Sequence, residues 1–178
     1  LKEAHALVGY PKIDAVPDTT TLKLFQKLKP IVLYNPHFSP PMSSWHAMGL
    51  QILEYFYHQT EFNLIFAPHI NLFHKVGGDD ANTIDKKFYD CDHIAIDLGS
   101  AHSVDMVYVN KADIYLGDVS SQVYEFIIRP RPCIFINTEK IKYKEEDTYR
   151  FWKCGEVIET LSELDNALEN RKENFAKH

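Results

Sequence analysis

The sequence is poor in glycine, with seven in 178 residues, and contains neither a G-x-G-x-x-G fingerprint nor a P-loop. That sets aside a conventional NAD or NTPase site, because both need glycines that let backbone amides close on phosphate. Cysteine is scarce too. Cys91, Cys133 and Cys154 are odd in number and far apart, with no metal-ligand or redox spacing. A reducing cytoplasm is the compartment expected from such usage. No apolar run approaches the roughly 20 residues that cross a bilayer, and Lys2, Glu3 and His5 interrupt the start where a signal peptide needs apolar residues. Positive charge is not in excess: a formal net charge of -6 gives no general attraction for nucleic acid or anionic lipid. The first residue is Leu1 and not Met, so a fragment of a longer protein is expected.

What is present is apolar. With 45% hydrophobic and 13% aromatic residues, the chain can build the core of one domain over residues 1–178. Short apolar runs predict strands at Ile31–Tyr34, Asn63–Phe66, His93–Ile96, Ile114–Leu116, Cys133–Ile136 and Glu156–Ile158. They lack clean alternation, as expected when both faces of a sheet are covered. Helices are predicted at Trp45–His58, Asn82–Tyr89, Ser103–Asn110, Ser121–Arg129 and Ser162–Ala176, the last with Leu161, Leu164 and Leu168 on one stripe. Leu22, Phe25 and Leu28 suggest a further short lead-in helix, and residues 1–18 read as a linker or lead-in segment. Strands alternating with helices argue for right-handed βαβ units. The expected fold is α/β, a Rossmann-like, doubly wound, mostly parallel sheet of about six strands.

Polar residues gather after the strands. Asn35-Pro36-His37 follows the first, Pro68-His69 the second, Asp97-Leu98-Gly99-Ser100 the third, Asp118 with Ser120 and Ser121 the fourth, and Asn137-Thr138 the fifth. In a parallel sheet these positions share the carboxyl edge, where ligands bind in the crevice. A sheet without a ligand would also end its strands in turn formers, but histidine is not one.

The sharpest segment runs from Ala112 to Ser121 and on to Glu125. A strand leads into a helix whose start offers free N–H groups, the helix dipole and two serine hydroxyls, a setting suited to a diphosphate. Asp118 or Ser120 could equally be a simple helix cap. Glu125 lies four residues after Ser121, one too far for a capping box. It is placed opposite the Val123, Phe126 and Ile127 stripe, either accepting ribose hydroxyls or simply solvated. His69, His74, Asp79 and Asp80 read as loop residues and not metal ligands, so no metal site is expected. Asp92 and His93 suggest a weak surface pair, and Tyr143 to Tyr149 an exposed loop.

Taken together, Ala112-Asp113 through Ser120-Ser121, Glu125 and the strand opened by Pro132 resemble the donor-binding segment of CDP-glycerol glycerophosphotransferases. That family includes teichoic-acid primases and polymerases, with two Rossmann-like halves in a GT-B arrangement. Weaker matches fall in the same order: Val8-Gly9-Tyr10-Pro11-Lys12-Ile13-Asp14, Ile31 to Phe38, Asn63 to His69, and Gly155 to Leu168. Val119 stands where the family usually has an aromatic residue. His37, Ser39 and Ala67 stand where threonine, arginine and lysine are typical.

The resemblance implies a carboxy-terminal, donor-binding half whose amino-terminal acceptor half, carrying the catalytic base, lies outside this chain. It implies that Ser120 and Ser121 hold the diphosphate and Glu125 the ribose. His69, protonated, would lie at the phosphates or transferred group, with His37 taking part. Asp118, Asp97 and Asn35 complete the expected donor site. The expected substrate is CDP-glycerol or a nucleotide sugar, with no separate cofactor and no nucleic acid. The compartment is the cytoplasm, on the inner membrane face if the rest of the protein associates peripherally with the membrane. Two other readings are a nucleotide-sugar glycosyltransferase or epimerase-type domain, and a nucleotide-binding module without catalysis.

Overall fold

Six strands hydrogen-bond into one all-parallel sheet in the order β3-β2-β1-β4-β5-β6. A computed structural model describes residues 9–74 and 76–178. The first eight residues and Lys75 lie outside it, and with them the signal-peptide argument and the start of the Val8–Asp14 match. The strands are β1 (Ile31–Asn35), β2 (Asn63–Phe66), β3 (Ile94–Ile96), β4 (Ile114–Gly117), β5 (Cys133–Ile136) and β6 (Glu156–Ile158). The helices are α1 (Leu50–His58), α2 (Asn71–His74), α3 (Lys86–Tyr89), α4 (Val107–Lys111), α5 (Gln122–Ile127), α6 (Leu164–Glu169) and α7 (Arg171–Lys177). Among the described residues no helix is long and apolar enough to cross a membrane.

Both sheet faces are covered, which explains the apolar runs. Val32, Leu64, Ile114 and Ile134 pack with Ile52, Leu53 and Phe56 of α1 and Leu164 and Leu168 of α6. The alternate residues Leu33, Ile65, Tyr115 and Phe135 pack with Val107 and Val109 of α4, Val123 and Phe126 of α5, and Trp152. Burying one such side chain contributes about 1.5–3 kcal/mol, so α1 is held chiefly by its three fully buried residues.

Order reverses between β1 and β4, which are neighbours in register from Val32↔Ile114 to Asn35↔Gly117. A Cβ on Gly117 would come within 2.7 Å of the Asn35 carbonyl oxygen, so only glycine permits this approach. The ligand crevice of a doubly wound sheet lies at this switch point.

Several helices are shorter than their apolar patterns predict, because polar side chains interrupt them. Asp85 accepts from Lys87 N at 2.9 Å and starts α3 afresh, splitting the expected Asn82–Tyr89 helix. Asp105 accepts from Val107 N at 3.2 Å, so α4 begins at Val107 and not Ser103. Asn170 divides the closing helix into α6 and α7. The expected Trp45–His58 helix opens with a π-helical turn over Trp45–Gly49. The lead-in helix over Leu22–Leu28 does not form: Phe25 is buried, Leu28 is fully exposed, and the approach to Pro30 disfavours helical backbone. The 143–149 loop is instead two 3₁₀ turns that bury Tyr149 against Trp152, although Glu145, Glu146 and Asp147 are exposed as expected. His93 contacts the Phe56 carbonyl oxygen at 2.9 Å and does not pair with Asp92.

Candidate functional site

The strand-end residues do meet at the carboxyl edge, but they divide into a buried floor and a more open layer. Asn35 is fully buried. Its Nδ2 donates to the Ala67 carbonyl at 2.7 Å, and its Oδ1 accepts from Tyr115 Oη at 3.2 Å. Asp118 is 1% exposed, and its Oδ2 accepts from the backbone N–H of His37 at 2.9 Å and of Ser44 at 2.8 Å. It ties the loop after β1 to the end of β4 across the switch point. Asp118 Oδ1 is buried without a partner, and burial pushes the carboxyl up to about 7 against the pull of those two amides. Asp97 accepts from the backbone N–H groups of Gly99 at 3.0 Å and Ser100 at 2.7 Å, from Tyr108 Oη at 2.7 Å, and from the Ser100 hydroxyl. Burial raises its pKa, but these donors outweigh burial and hold it below the usual carboxylate range. Asn35, Asp97 and Asp118, expected at the donor site, all bond to the protein here, and Asp118 keeps one buried oxygen, Oδ1, without a partner.

The open layer on the β1–β2 side carries the two histidines. Their rings are 5.7 Å apart, and Phe38 packs on His37 at 4.5 Å and on His69 at 4.6 Å. Both rings are pinned in the same way. His37 Nδ1 accepts from Ser39 N at 3.0 Å, and His69 Nδ1 from Asn71 N at 3.1 Å. With Nδ1 engaged as acceptor, the proton of each neutral ring sits on Nε2. Burial lowers the pKa of His37, with the neighbouring His69 adding to it, and burial alone lowers that of His69. With Nδ1 accepting from Asn71 N, His69 can donate only through Nε2–H, and burial favours its neutral form.

On the β4 side, Ser120 is nearly buried, and its hydroxyl accepts from Gln122 N at 3.2 Å. Ser121 is exposed and makes no capping bond, so its hydroxyl stands at the start of α5. Glu125 is not a solvated residue: it is 5% exposed. Its Oε1 receives Tyr10 Oη at 2.8 Å and Lys12 Nζ at 2.6 Å, while Oε2 is buried without a partner. The bond to Glu125 raises the Tyr10 pKa, with burial and the carboxylate charge adding to it.

Sequence reasoning did not foresee the Tyr10, Lys12 or Ser44 contacts. Tyr10 and Glu125 lie 115 residues apart, and no local spacing reports such a contact. Among the described residues no group of three or more His, Cys, Asp or Glu could hold a metal. Asp79 lies 3.4 Å from His46, and His74 packs against Gly99.

The family described as CDP-Glycerol:Poly(glycerophosphate) glycerophosphotransferase matches residues 1–178. The chain belongs to that family. No curated protein matches it, but solved structures do. The wall teichoic acid polymerase TagF is 17% identical with a TM-score of 0.58, over 86% of this chain and 37% of that one. UDP-GlcNAc 2-epimerase from Neisseria meningitidis, bound to UDP-GlcNAc, is 15% identical with a TM-score of 0.57, over 89% of this chain and 40% of that one. At such identities these likenesses show the fold, a Rossmann-like sheet of the kind found in GT-B proteins. The chain spans about two fifths of the length of these neighbours.

Proposed function

We propose that this chain is the donor-binding part of a glycerophosphotransferase that moves glycerol phosphate from CDP-glycerol to a hydroxyl acceptor in cell-wall or capsular polymer synthesis. The observation that carries the reading is Glu125, a buried carboxylate one turn into the helix that leaves the switch-point strand, with Oε2 lacking a partner. A ribose hydroxyl supplies such a partner. Family membership supports the substrate class.

In the proposed reaction the acceptor oxygen attacks the glycerol-bearing phosphorus. The new P–O bond forms as the bond to the bridging oxygen breaks, and CMP leaves. The acceptor proton goes to a base outside this chain, on an amino-terminal half. Ser120, Ser121 and the start of α5 face the diphosphate. His37 and His69 donate Nε2–H bonds to phosphoryl oxygens, stabilising the transferred group without a full positive charge. The isolated chain is expected to bind nucleotide and turn over nothing.

A second reading, a nucleotide-sugar donor, draws on His37, Ser39 and Ala67. These put a histidine, a serine and an alanine where the family typically has threonine, arginine and lysine, on the side meant for the donor's non-nucleotide part. Thermal shifts separate the two. Ligand at 100 times Kd stabilises the fold by about 2.7 kcal/mol. Stabilisation by CDP and CDP-glycerol but not by UDP or UDP-sugars is expected, and the reverse order would establish the second reading. A full-length protein that binds nucleotide yet transfers nothing would show a module without catalysis.

A further inference from the structure

The donor reading leaves two side chains unexplained. Tyr10 and Lys12 belong to the segment that leads into the sheet, in and beside a 3₁₀ turn over Pro11–Ile13, yet both reach the middle of α5. They do not share the Glu125 carboxylate evenly. Tyr10 Oη at 2.8 Å and Lys12 Nζ at 2.6 Å both go to Oε1, and nothing goes to Oε2. A carboxylate oxygen has about two lone-pair directions, so Oε1 is saturated. Oε2 is the opposite case, a buried acceptor with its full capacity unused. Groups of that kind are costly and rare in folded proteins, and the side chain that carries this one is more than nine-tenths buried. A free carboxylate could turn either oxygen to a ligand or straddle two hydroxyls. One pinned through a single oxygen offers only Oε2, whose two lone-pair directions diverge too widely for both adjacent hydroxyls of a ribose to occupy them.

We infer that Tyr10 and Lys12 are positioning residues that saturate Oε1 and so present Oε2 as the acceptor for one hydroxyl of a bound ribonucleoside. The inference rests on the donor reading and deepens it: the acid discriminates a single hydroxyl and not the pair. It also makes the lead-in segment part of the nucleotide site, through Tyr10 and Lys12 on the acid.

The test compares the affinities of this chain for CDP, 2′-deoxy-CDP and 3′-deoxy-CDP, with the UDP series in parallel. For the parent chain, removing one of the two hydroxyls is expected to weaken binding about 10- to 100-fold and removing the other no more than about threefold, since a site built around a hydroxyl rejects the analogue lacking it. Lys12→Met should shrink the large ratio to about threefold or less while leaving the affinity for the poorer deoxynucleotide unchanged, and Lys12→Arg should restore it. Tyr10→Phe, which removes one donor and keeps the ring, should fall between. It serves as the readout if Lys12→Met does not fold. Equal losses for both deoxynucleotides, or a Lys12→Met protein that folds and still discriminates as the parent does, would overturn the inference while leaving the donor reading intact. No binding of any CDP or UDP compound by the parent chain would overturn the donor reading and this inference with it.

Discussion

Asp118 and Glu125 lie seven residues apart and are 1% and 5% exposed, yet they are held by opposite means. Asp118 is gripped by backbone amides from the loop after β1. Those amides move only if the strand-end turns move, so the acid belongs to the scaffold. Glu125 is gripped by the tips of two side chains, Tyr10 at 50% exposure and Lys12 at 31%, which can let go without disturbing the sheet. The histidines follow the first pattern, since a backbone N–H fixes each Nδ1. One set of groups in the crevice is therefore held rigidly by backbone, and the other, the Glu125 cluster, is charged and releasable.

The largest effect should come from breaking the rigid side. Asp118→Ala leaves two buried N–H groups without acceptors, and its expected cost is about 2–4 kcal/mol in urea unfolding. A change within about 1 kcal/mol would remove the contrast with Glu125. Asp118→Asn keeps an acceptor and removes the charge, which isolates the titration. The folded carboxyl is pushed up to about 7, so between about pH 4 and 7 the folded state holds a proton that the unfolded chain has lost. Its stability contribution is present below that window and is lost as pH rises through it, at up to about 1.4 kcal/mol per pH unit. The Asp118→Asn variant should abolish that slope in thermal melts across the window.

The opposite result is expected on the charged side. Glu125→Ala removes a buried oxygen that has no partner and breaks bonds to part-exposed groups, so stability should change by less than about 1 kcal/mol. Nucleotide affinity should nonetheless fall at least about tenfold, as binding calorimetry would show. A loss of stability comparable to that of Asp118→Ala would place Glu125 in the scaffold as well. The smallest effect belongs to the histidines. Their folded pKa values are lowered, so below about pH 6.5 the unfolded chain takes up protons that the folded chain resists, and stability falls with pH. A His37→Gln, His69→Gln double variant should show a shallower acid limb in the same melts.

The strands were legible in the sequence because a doubly covered sheet requires apolar residues on both faces, and each predicted strand lies within one residue of the observed bounds. The helices were less so. Asp85, Asp105 and Asn170 sit inside apolar periodicity, and only the folded chain shows that they take backbone partners and end the run. At the site, Ser120, Ser121 and Glu125 stood out in the sequence at a strand end and helix start, and the family resemblance supplied only their expected roles. The bond from Asn71 N to His69 Nδ1 was not legible, because it depends on how the loop after β2 folds.

By itself, then, the sequence determined the strand rhythm, the carboxyl edge where the polar residues collect, and the family, because those are local patterns. Only the tertiary structure decided which of those polar residues are spent inside the protein and which remain free. It buried Asn35 and Asp118 beneath the switch point and brought Tyr10 and Lys12 to one oxygen of Glu125. Such pairings join residues distant in sequence, so no local spacing could carry them.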